Sequence, residues 1–378
     1  MLKRLPAMVL SERVEQQSGA GADLVAVRGV PTVPMPPHVA AAAYQAAGKV
    51  FPRRSRGALD LRAAIAEKLM STFGLAVEPE TDLLVSHGAQ HGMSIALRAL
   101  LRPGDEVIVP APTYFFDGII QLAGARPRYV MTAAEAGWRI DVEQVESAVT
   151  DRTRAILVCN PNNPTGDVPS AECLAGLAAV ARRHGLYVFA DESYERYVHD
   201  GPGYIPLMSL AERGDKFVTV TSLSKNYAFT GWRIGYIHST PGLINEIHTA
   251  FEWEAINVGD VPQAAAVAAI TGPQAWLEKE FSTMRARREI LLEALARAGV
   301  PAVRPSAGVF VFADFTVTGR HGAGLEEFLL EAGIPALAGD GFAGPGTHAR
   351  LLYGADMDDV RALGERIGSV LAGLSSHR

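Results

Sequence analysis

Five short apolar runs, each of strand length, recur between about residues 80 and 220, and stretches of helical periodicity separate several of them. The runs are Leu83-Leu84-Val85-Ser86, Val107-Ile108-Val109, Ala155-Ile156-Leu157-Val158, Tyr187-Val188-Phe189-Ala190 and Phe217-Val218-Thr219-Val220. A strand with one wet face alternates polar and apolar residues. These runs do not alternate, so both of their faces should be buried. Between them, Met93, Ala96, Leu97, Leu100 and Leu101 fall at i, i+3, i+4, i+7 and i+8. Leu174, Leu177, Ala178 and Ala181 repeat the first four of those steps, which marks one face of a helix. Fully buried strands alternating with helices predict an α/β domain: a mainly parallel central sheet with helices on both faces.

The flanking segments differ in character. A long helical stretch runs from near Pro273 to about Ala298, and Arg285, Arg287 and Arg288 read as its exposed face. Two further strands, Val309-Phe312 and Arg350-Tyr353, and a terminal helix from Asp356 predict a smaller α+β domain. The first 45 residues, rich in Gly and Pro around Gly29 to Pro37, read as an extended arm with little secondary structure. The expected division is an arm at 1–45 joining the small domain, a large domain at 46–272, and the long helix with the small domain at 273–378. The 378 residues are enough for two domains.

Composition narrows the function. A chain 48% hydrophobic and 20% charged is not wholly disordered. A net charge of −6 leaves no basic excess for neutralising nucleic-acid phosphates. Cys159 and Cys173 are too few for a disulfide framework or a zinc site, which suits a cytoplasmic protein. The apolar start is interrupted by Ser11-Glu12-Arg13-Val14-Glu15, and Ala264 to Ile270 is too short to span a bilayer. No membrane, nucleic-acid or metal partner is expected.

Ligands of open α/β sheets bind beyond the carboxyl ends of the strands, and five such ends carry unusual residues. Ser86-His87-Gly88-Ala89-Gln90 opens a helix, whose free N–H groups suit a phosphate. The next two runs end in Pro110-Ala111-Pro112-Thr113-Tyr114 and Asn160-Pro161-Asn162-Asn163-Pro164-Thr165-Gly166. Asp191 closes the fourth run and is followed by Tyr194; a buried carboxylate there needs a partner. Ser222-Leu223-Ser224-Lys225 follows the fifth, with Gly231-Trp232-Arg233 close behind. Singly, capping, turn chemistry or a snorkelling lysine accounts for each. Together they supply a phosphate cradle, a carboxylate, an aromatic face and an amine, the four things pyridoxal phosphate needs.

With Asn163-Pro-Thr-Gly166, Asp191-Glu-Ser-Tyr194, Ser222-Leu-Ser-Lys225 and Gly231-Trp-Arg-Ile-Gly235 in this order, the chain resembles the class I/II aminotransferases of fold type I. The likeness covers nearly the whole chain from Gly29. It implies that Lys225 forms the Schiff base with pyridoxal 5′-phosphate and carries the substrate proton. Asp191 would pair with the pyridinium nitrogen, and Tyr194 and Asn163 would bind the phenolic oxygen. Tyr114 would stack on the ring, with Phe115 as rival. Ala89, Gln90, Ser222, Ser224 and Arg233 would hold the phosphate. Arg350 would clamp the substrate carboxylate, and Gly29 would lie across the substrate. The resemblance also implies a homodimer with active sites at the interface and an L-amino acid as substrate.

Two departures bear on the reaction. Relatives usually carry a tyrosine shortly before the position of Gly57, where this chain has Lys49-Val-Phe51-Pro-Arg-Arg-Ser-Arg56, and the segment before Gly29 is short. Both touch the substrate mouth, so a lyase, cyclase or oxidative enzyme on the same cofactor is the alternative to an aminotransferase. A cofactor-sensing transcription regulator would need a basic helix-turn-helix before Gly29, and the residues there do not read as one. Gly339-Asp-Gly341-Phe-Ala-Gly344 matches GxGxxG but reads as a loop. His87 and His91 read as structural, and Arg53, Arg54 and Arg56 as a solvated loop.

Overall fold

The computed structural model describes residues 2–30, 33–49, 54–201 and 203–375. The larger sheet comprises β1 (Leu83–Ser86), β2 (Glu106–Ala111), β3 (Arg126–Met131), β4 (Thr153–Cys159), β5 (Tyr187–Asp191), β6 (Phe217–Ser222) and β7 (Gly235–Ser239). Their spatial order is β1-β7-β6-β5-β4-β2-β3. β7 runs antiparallel to both neighbours, and every other pairing is parallel. The smaller sheet is antiparallel, with β8 (Phe310–Asp314), β9 (Leu337–Ala338) and β10 (His348–Leu352) in the order β8-β10-β9. All the expected apolar runs therefore lie in or overlap strands of these two sheets.

The lack of alternation in the central strands has the expected cause. On β4, Ala155, Leu157 and Cys159 join one core, while Ile156 and Val158 join the core on the opposite face. Met93, Ala96, Leu97 and Leu100 cover the first face, and Leu174, Leu177, Ala178 and Ala181 the second. Removing one such leucine to alanine typically costs about 2–5 kcal/mol. The second of these helices, Ala171–His184, is bounded by local chemistry. The Ser170 hydroxyl accepts from the Cys173 N–H at 3.1 Å, and Gly185 ends the helix in the left-handed region at φ +66°.

Two expectations are overturned. The first 45 residues are not a structure-poor arm: α1 (Pro6–Gly19) and α2 (Pro37–Ala47) are helices, each with proline in its first turn. Proline there fixes a helical φ and forfeits only an N–H that lacks an intrahelical partner anyway. Arg287 and Arg288 are not an exposed face, being 5% and 0% exposed. Arg288 donates to the Pro305 carbonyl at 2.7 Å and pairs with Asp200 at 2.6 Å, while Arg287 pairs with Glu280 at 2.5 Å. Of the three, only Arg285 is open to solvent, its side chain 64% exposed.

The GxGxxG match falls in a short 3₁₀ turn, Gly339–Phe342, between β9 and β10. Phe51 and Arg53 lie outside the described residues, and with them the missing tyrosine. Arg54 is exposed, whereas Arg56 is half-buried and bonds Asn245 Oδ1. No helix among the described residues is long and apolar enough to cross a membrane.

Candidate active site

The parallel register brings the functional strand ends to one level. Cys159 pairs with Asp191, and Asp191 with Val220, so the ends of β4, β5 and β6 lie side by side. On the other flank, Gly235 pairs with both Ser86 and Ser222. A Cβ on Gly235 would fall 2.5 Å from the Thr221 carbonyl and 3.1 Å from Gly88. Only glycine lets β7 pass so close to both the end of β6 and the start of the helix Gly88–Leu100.

A cavity of ≈ 510 Å³ opens there. It is lined by every residue named from the sequence: Gly29, Ala89, Gln90, Tyr114, Asn163, Asp191, Tyr194, Ser222, Ser224, Lys225, Arg233 and Arg350. Residues far apart in the chain meet there because the strands and turns that carry them end together. Sequence reasoning missed Leu5, Ala7, Met8, Cys159, Ser193, Thr230 and Leu352 in the same wall. Ser193 had a legible signal, since Asp-x-Ser favours a local side-chain turn. The α1 residues carry none, because their segment reads as an arm.

The deep end is acidic and tightly held. Asp191 Oδ1 accepts from both the Ser193 N–H at 3.1 Å and the Ser193 hydroxyl at 2.5 Å. Burial pushes the Asp191 carboxyl up, against the Ser193 hydrogen bonds and Lys225, which hold it down. Such a group gains from a cation placed beside it. Burial likewise raises the Tyr194 hydroxyl and takes Tyr114 up to about 12, so both phenols keep their protons near neutral pH.

Lys225 belongs to the short helical turn that the Ser222 hydroxyl caps by accepting from the Ser224 N–H at 3.1 Å. Its Nζ donates to the Gly29 carbonyl at 3.3 Å, and the Tyr197 hydroxyl donates to the Lys225 carbonyl at 2.8 Å. Burial, then Arg350 and Arg233, bring the amine from 10.5 down to about 8, with Asp191 opposing them. It is thereby placed to exchange a proton near neutral pH.

The flank beside the helix Gly88–Leu100 is built for an anion. Gly88 has φ +80°, and a Cβ there would fall 2.8 Å from Arg233 Nη2. Arg233 itself is left-handed at φ +53°, an unusual conformation for a side chain of its size. It donates to the Thr230 carbonyl at 3.0 Å and the Ser224 hydroxyl at 3.4 Å. The helix start, two serines and a guanidinium therefore converge on one side of the cavity.

Opposite them, Arg350 reaches in from β10. Its Nη1 donates to Asn163 Oδ1 at 2.9 Å, its guanidinium carbon lies 4.7 Å from the Phe342 ring centre, and its buried Nε has no partner among the described residues. Phe115 is drawn toward the same place, 4.8 Å from Phe342 and 5.9 Å from Arg350. His87 and His91 pack with Phe251, their own ring centres 5.2 Å apart.

The chain matches the family model described as aminotransferase class I and II over residues 29–367. It is 36% identical to the aspartate/prephenate aminotransferase of Thermus thermophilus, over 93% of this chain and 92% of that protein. The aspartate aminotransferase of Thermus thermophilus solved with maleate superposes with a TM-score of 0.93 at 34% identity, covering 98% of this chain and 97% of that one. The aromatic aminotransferase of Pyrococcus horikoshii gives 0.89 at 30% identity, covering 97% and 99%.

Proposed function

This chain belongs to the class I and II aminotransferases, enzymes of fold type I that move an amino group between an amino acid and a 2-oxo acid, and we propose that it does so with pyridoxal phosphate held by the residues of this cavity. The observation that carries the reading is the convergence of Lys225, Asp191, Asn163 and Arg350 on one cavity. The donor set fits the cofactor. The anion-binding flank would take the phosphate through Ala89 and Gln90 at the helix start, Ser222, Ser224 and Arg233. Asp191 would lie against the ring nitrogen, whose positive charge would give the buried carboxylate the ion-pair partner it lacks among the described residues. Tyr114 would face the ring; Phe115, in the same wall, packs on Phe342 and the Arg350 guanidinium. Asn163 and Tyr194 would bind the phenolic oxygen.

When bound, pyridoxal phosphate supplies an electron-accepting ring that stabilises negative charge at the substrate α-carbon. The protein's part is binding and proton movement. Arg350, already oriented by Asn163 and by the Phe342 face, would fix the substrate carboxylate through two parallel N–H donors. With that end fixed, the α-hydrogen would face the Lys225 amine, which lines the same cavity. A group titrating near 8 can both take that proton and return it. Gly29, whose carbonyl accepts from the Lys225 amine, and α1, which lends Ala7 and Met8 to the wall, would narrow the access of water to these charges.

The same reading takes in the assembly and its setting: a homodimer in the cytoplasm, with residues 46–272 and 273–378 as the large and small domains behind the arm. Tyr44 and Trp253, 84% and 91% exposed, offer apolar surface to a second copy, and Cys159 and Cys173 are free thiols suited to a reducing compartment. The test of the reaction is a half-turnover. A good amino-acid substrate without an acceptor should bleach the absorbance of the bound cofactor, and a 2-oxo acid should restore it. Repeated turnover that releases ammonia or consumes oxygen without an acceptor would replace the reading by a lyase or an oxidase.

A further inference from the structure

We infer that the amino acid taken by this cavity carries a bulky apolar side chain, aromatic or branched aliphatic, and not a second carboxylate; the inference rests on the aminotransferase reading above. Lys225 and Arg350 fix two points of the bound amino acid, its α-carbon and its carboxylate. Whatever hangs from the α-carbon must meet the rest of the wall. That remainder includes Ala7 and Met8 from α1, Leu5 just before it, and Leu352, which follows Arg350 by two positions on β10.

The wall is held in place. Leu5, Ala7 and Leu10 pack on the aromatic cluster that contains Phe115 and Phe342, the same two rings that flank Arg350. Arg13 ties the far half of α1 to Glu327. Met8 nevertheless stays 51% exposed at the cavity edge. An apolar ligand group covering it would remove that surface from water, which is favourable in proportion to the area covered.

Charge points the same way. Among the described residues, the cations lining the cavity are Lys225, Arg233 and Arg350, and each has a task. Arg233 is tied to Ser224 and Thr230 on the phosphate flank. A second carboxylate against Leu5 and Met8 would therefore lose water without meeting a further cation among the described residues of this chain that line the cavity, and an unpaired charge against apolar surface is costly.

The experiment compares phenylalanine, leucine and methionine with aspartate and glutamate on the holoenzyme, using one 2-oxo acid acceptor. It also measures the binding of two unreactive acids, 3-phenylpropanoate and succinate, by calorimetry. The apolar amino acids should lead by about tenfold or more in kcat/KM, the usual worth of a matched hydrophobic pocket, and 3-phenylpropanoate should bind more tightly than succinate. Met8→Lys and Leu5→Lys should shift both ratios toward the dicarboxylic compounds. Equal or better use of aspartate, or ratios unmoved by either substitution, would overturn the inference. If no amino acid loses its amino group, the aminotransferase reading fails, and the two binding constants still decide what the pocket prefers.

Discussion

Arg350 Nη1 donates to Asn163 Oδ1 at 2.9 Å, across 187 positions of sequence. The contact joins β10 of the small sheet to the turn after β4 of the large one. It holds a half-buried guanidinium at the cavity wall in a fixed direction while leaving its buried Nε hydrogen unpaired among the described residues. A planar carboxylate is the partner that completes such a group. Arg350→Ala should lower kcat/KM for amino acids by roughly thirty-fold or more, since losing one member of a buried charge pair costs about 2–5 kcal/mol. The loss should fall mainly on KM. Asn163→Ala should reproduce part of it by freeing the guanidinium, and steady-state kinetics on both variants would show whether the pair acts together.

The acidity of Lys225 gives a prediction with a definite sign. Its amine is brought from 10.5 to about 8, so it is protonated and unreactive below 8 and neutral above. The rate at which cofactor-free protein forms a borohydride-reducible link to pyridoxal phosphate should therefore climb with pH and level off above about 8. Arg350 and Arg233 both depress this value, so Arg350→Ala should move the bend upward. Stopped-flow absorbance across pH measures it. Lys225→Ala should give no reducible link at all; a reduced adduct at another lysine would move the assignment elsewhere.

Asp191 has its role only if a cation meets it. Burial raises its carboxyl, and Ser193 donates twice to one of its oxygens. Asp191→Ala removes the group that would hold the ring nitrogen protonated, so the cofactor should still bind through the phosphate flank while turnover collapses. Near-normal activity in a folded, cofactor-loaded Asp191→Ala protein would reject the assignment. Ser193→Ala should be milder, loosening the carboxylate without removing it.

The sequence exposed those parts of the fold whose residues face a single environment. Leu157 and Val188 sit in strands buried on both faces, and an unbroken apolar run of that length fits few places besides the middle of a sheet. β3 was illegible because it is a sheet edge: Arg126, Pro127, Arg128 and Tyr129 are exposed or half-exposed there, so the strand has no apolar run to read. β7 was illegible because Gly235, His238 and Ser239 are buried through backbone and polar contacts as much as through apolar ones. The site was legible for a different reason. Lys225, Asp191 and Asn163 are chemically costly at buried strand ends, and their conjunction makes sense only around a ligand. Leu5 and Met8 are ordinary apolar residues, and nothing but their position in space marks them as part of the wall.

Arg288 shows how a charge pattern on a helix can mislead, and it supplies the last prediction. Arg285, Arg287 and Arg288 look alike in sequence, yet Arg288 is wholly buried and Arg285 is largely in water. Around Arg288, the Asp200 carboxylate, the Glu289 carboxylate and the Pro305 carbonyl together satisfy the guanidinium. Asp200 follows His199, whose N–H, like that of Asp200, donates to the Ser306 carbonyl. The cluster therefore ties the chain after β5 to the segment leading into β8. Replacing Arg288 removes a buried guanidinium, its packing and its bond to the Pro305 carbonyl. Asp200 and Glu289, 39% and 34% exposed, keep Arg304 as a partner, so the cost should fall below the about 3–5 kcal/mol of a fully buried pair. Arg288→Met should accordingly lower the thermal midpoint by several degrees. Arg285→Met, whose ion pair with Asp200 is exposed at 3.5 Å, should change it little. Because Arg288 does not line the cavity, the Arg288→Met protein that remains folded should bind pyridoxal phosphate normally. Calorimetric melting with a cofactor titration checks both halves, and equal midpoints for the two variants would show that the buried arginine contributes no more than the exposed one.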